Sequence, residues 1–383
     1  MIVLKKHRPN SNQQYFYFAH YIDSFMNSKE ILKVALEVFK KGAFTVVNGC
    51  RSNANFRTLF GFTISAVLLW LTLHNSGLKW ESLALTIEEW LFFAASVLSF
   101  AAAVWIQSVR TRFIWQNEKV VTGKIQAYTA LVIGNFYNSI LPGNLGEGAR
   151  AWYFSKKHQI PFPLALSVVF TEKWIDAQIF VFLTAALLLA MPYKSHYILY
   201  ALINTALVVI VVAIIYYIVQ KHRSLEKKLW LFILLFKKTG RFLYRMYWYV
   251  KHQISQLKQS RKLGPYIALG FIMISLNMLQ FFFLFKVANI AAPVAGLYSV
   301  YLIALSMMII SVIPSAPGNI GVLHYGIYSA LILSAMQFGL TPDSVALQSY
   351  ARFTVFLHLS YFVPEVLLGV YYIVKERKIM FSF

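Results

Sequence analysis

The sequence is poor in charged residues, acidic ones above all, and it has almost no cysteine. Only 13% of its 383 residues are charged and 58% are hydrophobic, whereas soluble domains average about 25% charged and about 45–50% apolar residues. A single cysteine, Cys50, excludes an internal disulfide framework. The composition therefore excludes a disordered or disulfide-built protein, and it indicates that lipid is the solvent for most of the chain.

The shortage of acid leaves a formal net charge of +22, from 36 Lys and Arg against 14 Asp and Glu. The basic residues lie between apolar runs and not on a soluble domain. Such a pattern is typical of the positive-inside bias and of attraction to anionic lipid headgroups. No DNA- or RNA-reading motif accompanies the charge, so we expect no nucleic-acid partner.

Long apolar runs predict an all-α fold, a polytopic bundle of transmembrane helices. A spanning helix needs about 20 mostly apolar residues. Nine simple spans would place the two termini on opposite sides of the membrane, so the polar stretch 142–174 is predicted to be re-entrant, leaving about eight full spans. The candidate runs are 57–75, 90–109, 125–141, 175–191, 197–220, 265–286, 294–313, 322–338 and 354–374.

Basic residues predict the topology and the domain organisation. Nine Lys and Arg occur up to and including Arg57, four in 110–124, twelve in 221–262 and three in 375–378, against one each in 76–89 and 192–196. Both termini and the long loop are therefore predicted to be cytoplasmic. The first predicted part is a cytoplasmic extension, 1–56, with an interfacial amphipathic helix at 29–47. The second is a transmembrane domain, 57–374, with halves 57–191 and 197–374, and the basic amphipathic cytoplasmic loop 221–262 lies within the second half. The third is a cytoplasmic tail, 375–383.

A short motif occurs twice. Pro142-Gly143-Asn144-Leu145-Gly146 recurs as Pro317-Gly318-Asn319-Ile320-Gly321, each time at the end of an apolar run. The charge-derived topology gives the two halves opposite orientations. Matching Gly/Pro breaks in inverted repeats indicate a transport site, and broken backbone at membrane depth is tolerated only where it lines a cavity or is buried in protein. The plainer alternative is that each Pro-Gly pair ends a helix at the membrane surface.

Charged side chains cluster near these breaks. A charge at the bilayer centre costs about 2.5–3.5 kcal/mol on insertion scales, so such residues normally face the interior and pair. Structural ion pairs near the interface are the alternative to a binding site. Arg352 is the sharpest candidate, because a guanidinium can hold a lipid phosphate through two parallel hydrogen bonds. The candidates are Glu147 and Arg150 after the first motif, Glu172, Lys173 and Asp176 before the fourth run, His324 after the second motif, Arg352 before the last run, and Glu365 within it beside Pro364.

Signatures of catalysis are missing from the sequence. It has no Walker A loop, no GxGxxG after a strand, no GxSxG elbow and no metal-ligand spacing of His and Cys. We therefore expect no cofactor, no metal and no catalytic residue. Glu172 and Asp176, four residues apart on one helix face, suit proton or cation binding. We expect that Glu172 and Arg352 pair in the empty state and that a lipid phosphate competes for the arginine.

The runs NSILPGNLGEGAR at 138–150, EKWID at 172–176 and SVIPSAPGNIGVLH at 311–324, with Arg352 beyond them, resemble the lysylphosphatidylglycerol synthase transmembrane-region family, also called flippase-like or UPF0104-type. The resemblance covers about residues 57–374. It implies a polytopic domain that moves or presents lipids, which larger members fuse to a soluble aminoacyltransferase domain that we do not expect here. Lys173 replaces the arginine of the family's more usual Glu-Arg-x-x-Asp pattern, which keeps the charge.

Three functions follow as hypotheses. The first is a lipid translocase or lipid-binding transporter of the cytoplasmic membrane, which handles anionic lipids or lipid-linked intermediates. The second is a membrane-embedded transferase acting on a polyprenyl phosphate or a phospholipid. The third is a partner that presents lipid to a separate glycosyltransferase or lipid-modifying enzyme. Membrane lipids are the expected partners, and an oligomer is compatible with the sequence.

Overall fold

The computed structural model describes residues 51–118, 120, 122–140, 145–190, 237–310 and 315–380, and within these ranges the secondary structure is helical with no strand. Short 3-10 turns occur at Trp80–Leu83 and Pro317–Asn319. The all-α prediction is thus confirmed for the described part of the chain. The helices are α1 Arg51–Ser76, α2 Ile87–Asn117, α3 Lys124–Ile140, α4 Gly146–His158, α5 Phe162–Ala190, α6 Lys237–Gln259, α7 Leu263–Val287, α8 Leu297–Ile310, α9 Val322–Gln337, α10 Ser344–Lys375 and α11 Arg377–Met380.

Within the described ranges, four helical segments are long and apolar enough to cross a membrane. They are Ile87–Gln116, Leu263–Val287, Pro317–Gln337 and Ser344–Lys375. The prediction of about eight full spans and of an internal repeat is not confirmed by these segments. The run 197–220, the inner part of the basic loop at 229–236 and the extension 1–50 lie outside the described residues.

Two predicted boundaries were wrong in the same way. The fourth and last runs were predicted to begin at 175 and 354, after their charged residues, but α5 begins at Phe162 and α10 at Ser344. Glu172 and Arg352 therefore lie within long helices and not before them. Hydropathy alone ends a run at a charged residue, whereas the helix continues because that residue has an ion-pair partner on a neighbouring helix.

Helices α2 and α7 form an antiparallel pair, and α3, α5, α6 and α10 pack against one or both of them. Near one end of this pair, Asn289, which lies just beyond α7, donates from Nδ2 to Glu89 Oε1 at 2.9 Å. Near the other, the Arg110 side chain of α2 donates to the Tyr266 carbonyl at 3.3 Å. These two levels are 21 residues apart on α2, about 32 Å at about 1.5 Å per residue, which is close to the thickness of a hydrocarbon core. A separate apolar core surrounds each end.

Helices α3 and α4 form a hairpin, hairpin A. At its closed end the Gly146 amide donates to Asn138 Oδ1 at 2.8 Å. At its open end Tyr128 of α3 packs edge-on against Tyr372 of α10 with 6.1 Å between ring centroids, and Lys157 Nζ of α4 lies 3.0 Å from Glu376 Oε2. The chain thus enters and leaves hairpin A at the C-terminal end of α10.

Helices α8 and α9 form a second hairpin, hairpin B, which opens at the other end. Its open end is joined by Ser299 and Ser334, whose hydroxyl oxygens are 2.6 Å apart. It begins a few residues after Asn289, the residue that binds Glu89. At its closed end the Pro317–Asn319 turn contacts α3 of hairpin A. The two hairpins therefore enter the bundle from opposite ends and meet inside it.

The described basic segments lie at one end of the bundle, where Arg110 is. Arg112 Nε donates to the Thr122 carbonyl at 3.0 Å, which holds Thr122, two residues before α3, against α2. Lys262 Nζ, between α6 and α7, donates to Gln116 Oε1 at 3.2 Å. Within the predicted surface loop 221–262, α6 is a helix that packs on α5 and buries Met246, Gln253 and Leu257. Its buried side thus contacts protein, whereas the apolar inner part of the predicted surface segment, 229–236, lies outside the described residues.

Candidate functional site

The first Pro-Gly-Asn break lies between α3 and α4. Its Pro142, Gly143 and Asn144 are outside the described residues, so their site role stays a prediction. The break joins Ile140, the last residue of α3, to Gly146, the first of α4. Ser139, the penultimate residue of α3, bonds Glu365 of α10, so the end of α3 that leads into the break packs against α10.

The last glycine of each motif sits where a side chain does not fit. A Cβ atom on Gly146 would come within 1.9 Å of the Gly134 carbonyl oxygen, and one on Gly321 within 1.9 Å of the Ser65 carbonyl oxygen. Gly321 also has φ of +85°, a conformation that L side chains rarely adopt. Both motifs therefore end in a glycine because another backbone segment passes directly against it.

The second break is described in full. Pro317 is exposed, Gly318 is buried with φ of +73°, and Asn319 has φ of +54°. Ser315 Oγ donates to Asn319 Oδ1 at 2.6 Å, and the Ala316 amide donates to Ser65 Oγ at 2.8 Å. These bonds satisfy part of the backbone and side-chain polarity that the break would otherwise leave inside the bundle.

Two histidines flank the second break. His324 Nδ1 accepts from the Gly321 amide at 3.4 Å, and its ring lies 5.1 Å from that of His358 on α10. A Cβ atom on Gly318 would be 3.5 Å from His358 Nε2, so this nitrogen is directed at the break. His358 is only 7% exposed, and Nε2 has no hydrogen-bond partner within the described part of the chain. A ring nitrogen without a hydrogen-bond partner among the described residues therefore lies beside the second break.

Five predicted site residues come together in one ion-pair network between α4 and α5. Arg150 Nη2 lies 2.7 Å from Glu172 Oε2, and Lys173 Nζ lies 2.8 Å from Glu147 Oε1. Arg150 Nη1 also approaches Glu147 Oε2 at 3.7 Å. Arg150 and Glu172 are each about 1% exposed. Asp176, the fifth member, belongs to the same network through a partner on α2.

That partner is Arg110, which the sequence reasoning missed. Arg110 Nη2 donates to Asp176 Oδ1 at 2.6 Å, and its guanidinium carbon lies 4.4 Å from the centroid of the Tyr266 ring. Arg150 Nη2 donates to Thr111 Oγ1 at 2.9 Å, which ties α4 to α2 as well. With three basic and three acidic members the network has no net charge, so it joins α2, α4 and α5 without an uncompensated buried ion.

A polar contact between α5 and α6 lies next to this network. Gln253 of α6 accepts from Thr171 Oγ1 at 2.7 Å and donates to Ser167 Oγ at 2.8 Å. It also bonds Glu118, at the C-terminal end of α2 beyond the membrane span, and burial raises the pKa of the Glu118 carboxyl to about 7. The charged form of this carboxyl is therefore disfavoured relative to an exposed glutamate.

Arg352 belongs to a different cluster, and its predicted pairing with Glu172 was wrong. Arg352 Nη2 lies 3.1 Å from Glu89 Oε2 and donates to the Ala84 carbonyl at 3.0 Å. Glu89 in turn accepts from the Thr86 amide at 2.9 Å, within the capping box that begins α2. Glu172 neighbours Arg110 at the opposite end of α2. The sequence places each residue shortly before the last run of its predicted half, but the structure places the two residues at opposite ends of α2.

Sequence reasoning also left out Ser139 and His358 as site residues. Ser139 Oγ donates to Glu365 Oε2 at 2.5 Å. A serine at the end of an apolar run gives no signal by itself, and a single histidine in a helix is usually structural. No group of three His, Cys, Asp or Glu side chains in the described ranges could hold a metal ion. The polar groups thus suit ion pairing, hydrogen bonding and proton binding.

Comparison with known proteins decides the family. The family model described as the lysylphosphatidylglycerol synthase TM region matches residues 58–369. The chain belongs to this family. It is also 25% identical over 305 residues to a UPF0104 membrane protein of Methanocaldococcus jannaschii, an alignment that covers 74% of this chain and 84% of the relative. No solved structure matches. The family assignment and the apolar helices together identify a multi-pass integral membrane protein.

Membership of the lysylphosphatidylglycerol synthase transmembrane-region family confirms the resemblance drawn from the two Pro-Gly motifs. The matched residues include α2–α5, both hairpins and nearly all of α10. They therefore contain both motifs, the α4–α5 network and the Arg352–Glu89 pair.

Proposed function

We propose that this protein is a lipid translocase or lipid-binding transporter that handles anionic lipids or lipid-linked intermediates. The observation that carries the proposal is the arrangement of hairpins A and B. They enter the bundle from opposite ends, and the second Pro-Gly break contacts α3, the helix that leads into the first break. Beside the second break lies His358 Nε2, which has no hydrogen-bond partner among the described residues. A transporter needs a site that is reached in turn from each side, and paired discontinuous helices supply one.

In this proposal both hairpins are re-entrant and belong to the inverted halves of the domain. Non-helical backbone at membrane depth is tolerated where it is buried in protein or lines a wet cavity. The second break fits that condition where it abuts Ser65, and Gly146, the last residue of the first motif, donates to Asn138 in the same hairpin. The substrate-binding role predicted for the two motifs, for His324 and for the network residues is part of the same proposal.

Arg352 is proposed to bind the phosphate of the lipid headgroup. Its ion pair with Glu89 is single and partly exposed, with 11% of each side chain accessible. A phosphate that offers two oxygens to the planar guanidinium can compete with that pair. Arg150 is less suitable, because it is fully buried and held by Glu172. The headgroup therefore meets Arg352 at the end of the bundle where hairpin B opens.

A vesicle assay tests the proposed function. Purified protein is reconstituted with a fluorescent phosphatidylglycerol, and loss of outer-leaflet label to a membrane-impermeant quencher reports lipid movement. We expect movement by the wild type and at least a tenfold loss in Arg352→Ala, with Arg352→Lys intermediate. Arg377→Ala, which removes an exposed arginine outside the site, is the matched control. Equal rates in protein-free vesicles and with folded wild type would exclude translocation of this lipid.

A membrane-embedded transferase, or a partner that presents lipid to one, is the second candidate. The description of the family as a synthase's transmembrane region favours it. The assay is incubation of the same vesicles with a polyprenyl phosphate and an activated sugar. A lipid-linked sugar product formed by the purified chain would favour the transferase, whereas product formed only with an added glycosyltransferase would favour the presenting partner.

A further inference from the structure

Glu365 is a carboxyl group in α10 that has no basic partner among the residues that the structure describes. It follows Pro364 and lies ten residues before Lys375, the end of the helix, which is about 15 Å at about 1.5 Å per residue. That distance is half of a hydrocarbon core about 30 Å thick. An ionisable side chain at this depth is costly and usually functional. Within the described ranges no Lys, Arg or His lies within ion-pair distance of it.

The groups that face Glu365 are neutral. Ser139 of α3 donates to its carboxylate, and the adjoining cleft is lined by Tyr128 and Asn135 of α3 and by Phe100 and Val104 of α2. Tyr361, one turn before Glu365 on α10, is the other titratable neighbour. A serine hydroxyl can donate to a carboxylate and can accept from a carboxylic acid. The surroundings therefore accommodate both protonation states, and no cation compensates the charged one.

We propose that Glu365 is a proton-binding site that couples a proton gradient to the conformation of the two hairpins. Protonation adds one proton to a carboxylate oxygen and releases one water from hydronium, so no other reactant is required. Its hydrogen bond reaches Ser139, the penultimate residue of α3, directly before the first break. One turn away, Tyr361 stacks on His358, which is directed at the second break. Glu365 is thus connected to the end of α3, which leads into the first break, and through Tyr361 and His358 to the second break.

A metal cation is a poorer occupant of this position. Hard cations take about six or more oxygen ligands, whereas the carboxylate here has one hydroxyl and a largely apolar cleft. Glu172 and Asp176, which the sequence suggested for proton binding, are each held by an arginine at 2.7 and 2.6 Å. Of these three carboxyl groups, Glu365 is the one without a basic partner among the described residues, and it is therefore the one assigned to the proton. The coupling role rests on the proposed function, but the proton site does not.

Infrared difference spectroscopy tests the site without any transport. Full-length protein in vesicles is compared in acidic and alkaline buffer, and the C=O stretching band of a protonated carboxyl is recorded. We expect one component of that band to vanish in Glu365→Gln and to remain in Glu88→Gln, which neutralises an exposed glutamate. Ser139→Ala should shift the frequency of the same component, because the carbonyl loses its hydrogen bond. An unchanged band in Glu365→Gln, or in Ser139→Ala if Glu365→Gln does not fold, would overturn the proposal.

Transport under a gradient tests the coupling. If one proton accompanies each lipid, a difference of one pH unit supplies about 1.4 kcal/mol, which is a tenfold asymmetry of labelled lipid between the leaflets. Glu365→Gln should abolish the asymmetry and Glu88→Gln should keep it. An asymmetry that needs sodium instead would overturn the proton assignment. A wild type that moves no lipid, yet shows the Glu365 band, would refute the proposed function and leave the proton site standing.

Discussion

At the scale of single residues, burial and partners divide the charged side chains into two kinds. Arg110, Arg150 and Glu172 are almost completely buried and are each paired. Arg352 and Glu89 form a single pair with some exposure. Removing one member of a buried pair leaves an uncompensated charge, which costs far more than losing an exposed pair. The first kind is therefore expected to hold the bundle together and the second to be available to a ligand.

Replacing Arg150 with methionine should be strongly destabilising. Glu172 would remain buried without its partner at 2.7 Å, at a cost of about 3–5 kcal/mol. The double variant Arg150→Met with Glu172→Leu should recover most of the loss, because it removes both charges. Unfolding in mixed micelles with increasing denaturing detergent measures both. A single variant as stable as wild type would contradict the structural role of the pair.

Glu118 should make stability depend on pH. Burial raises its pKa to about 7 in the folded protein, whereas the pKa of an exposed glutamate is about 4.3. The folded state therefore binds more protons between these values, and the stabilisation is complete below the lower value. It is lost as pH rises, by at most about 1.4 kcal/mol per pH unit, until the pH passes 7. Glu118→Gln should flatten this part of the profile of unfolding free energy against pH.

At the scale of elements, the two hairpins depend on close backbone approach. Gly146 packs its Cα against Gly134, and Gly321 packs against Ser65. A helix pair this close needs a residue without a side chain at the contact. The motif glycines thus determine that α3 and α4, and likewise α1 and the second break, touch through backbone atoms.

Replacing either of these glycines with alanine should destabilise the folded protein at its hairpin. Gly146→Ala and Gly321→Ala place a Cβ 1.9 Å from a carbonyl oxygen, and Gly321→Ala is also strained by its positive φ. We expect a loss of more than about 2 kcal/mol for each. The matched control is Gly148→Ala in α4, where a Cβ meets nothing within 4 Å and where alanine should stabilise the helix by about 0.5–1 kcal/mol. Equal stability of Gly146→Ala and Gly148→Ala would show that the backbones are not in contact.

At the scale of the whole molecule, the distribution of basic residues and the fold predict the same orientation of the bundle in the membrane. The Arg110 end of the bundle contains the end of α2, the start of α7 and the end of α10, and each of these segments carries Lys or Arg. The opposite end contains the short connections at Lys79, Asn289 and Asp343. Positive-inside then predicts that the Arg110 end is cytoplasmic.

Reporter fusions check this orientation. Fusions at Lys251, in α6, should report a cytoplasmic position, and fusions at Lys79 and Lys194 should report the external side. The reason is the excess of Lys and Arg in 110–124, 221–262 and 375–378 over the loops that contain Lys79 and Lys194. An external signal from Lys251 would invert the topology, and hairpin A would then open outward.

The sequence by itself determined the membrane character, the helical class, the family and the two Pro-Gly motifs. Hydropathy and charge act locally along the chain, so a reading of consecutive residues detects them. It also identified five of the six members of the α4–α5 network. It did not give their pairing, since Asp176 and Arg110 are 66 positions apart and Arg352 and Glu89 are 263 apart. Only the packing of antiparallel helices brings such residues to one membrane depth. That packing separated Glu172 from Arg352, and within the described part of the chain it left Glu365 without a basic partner.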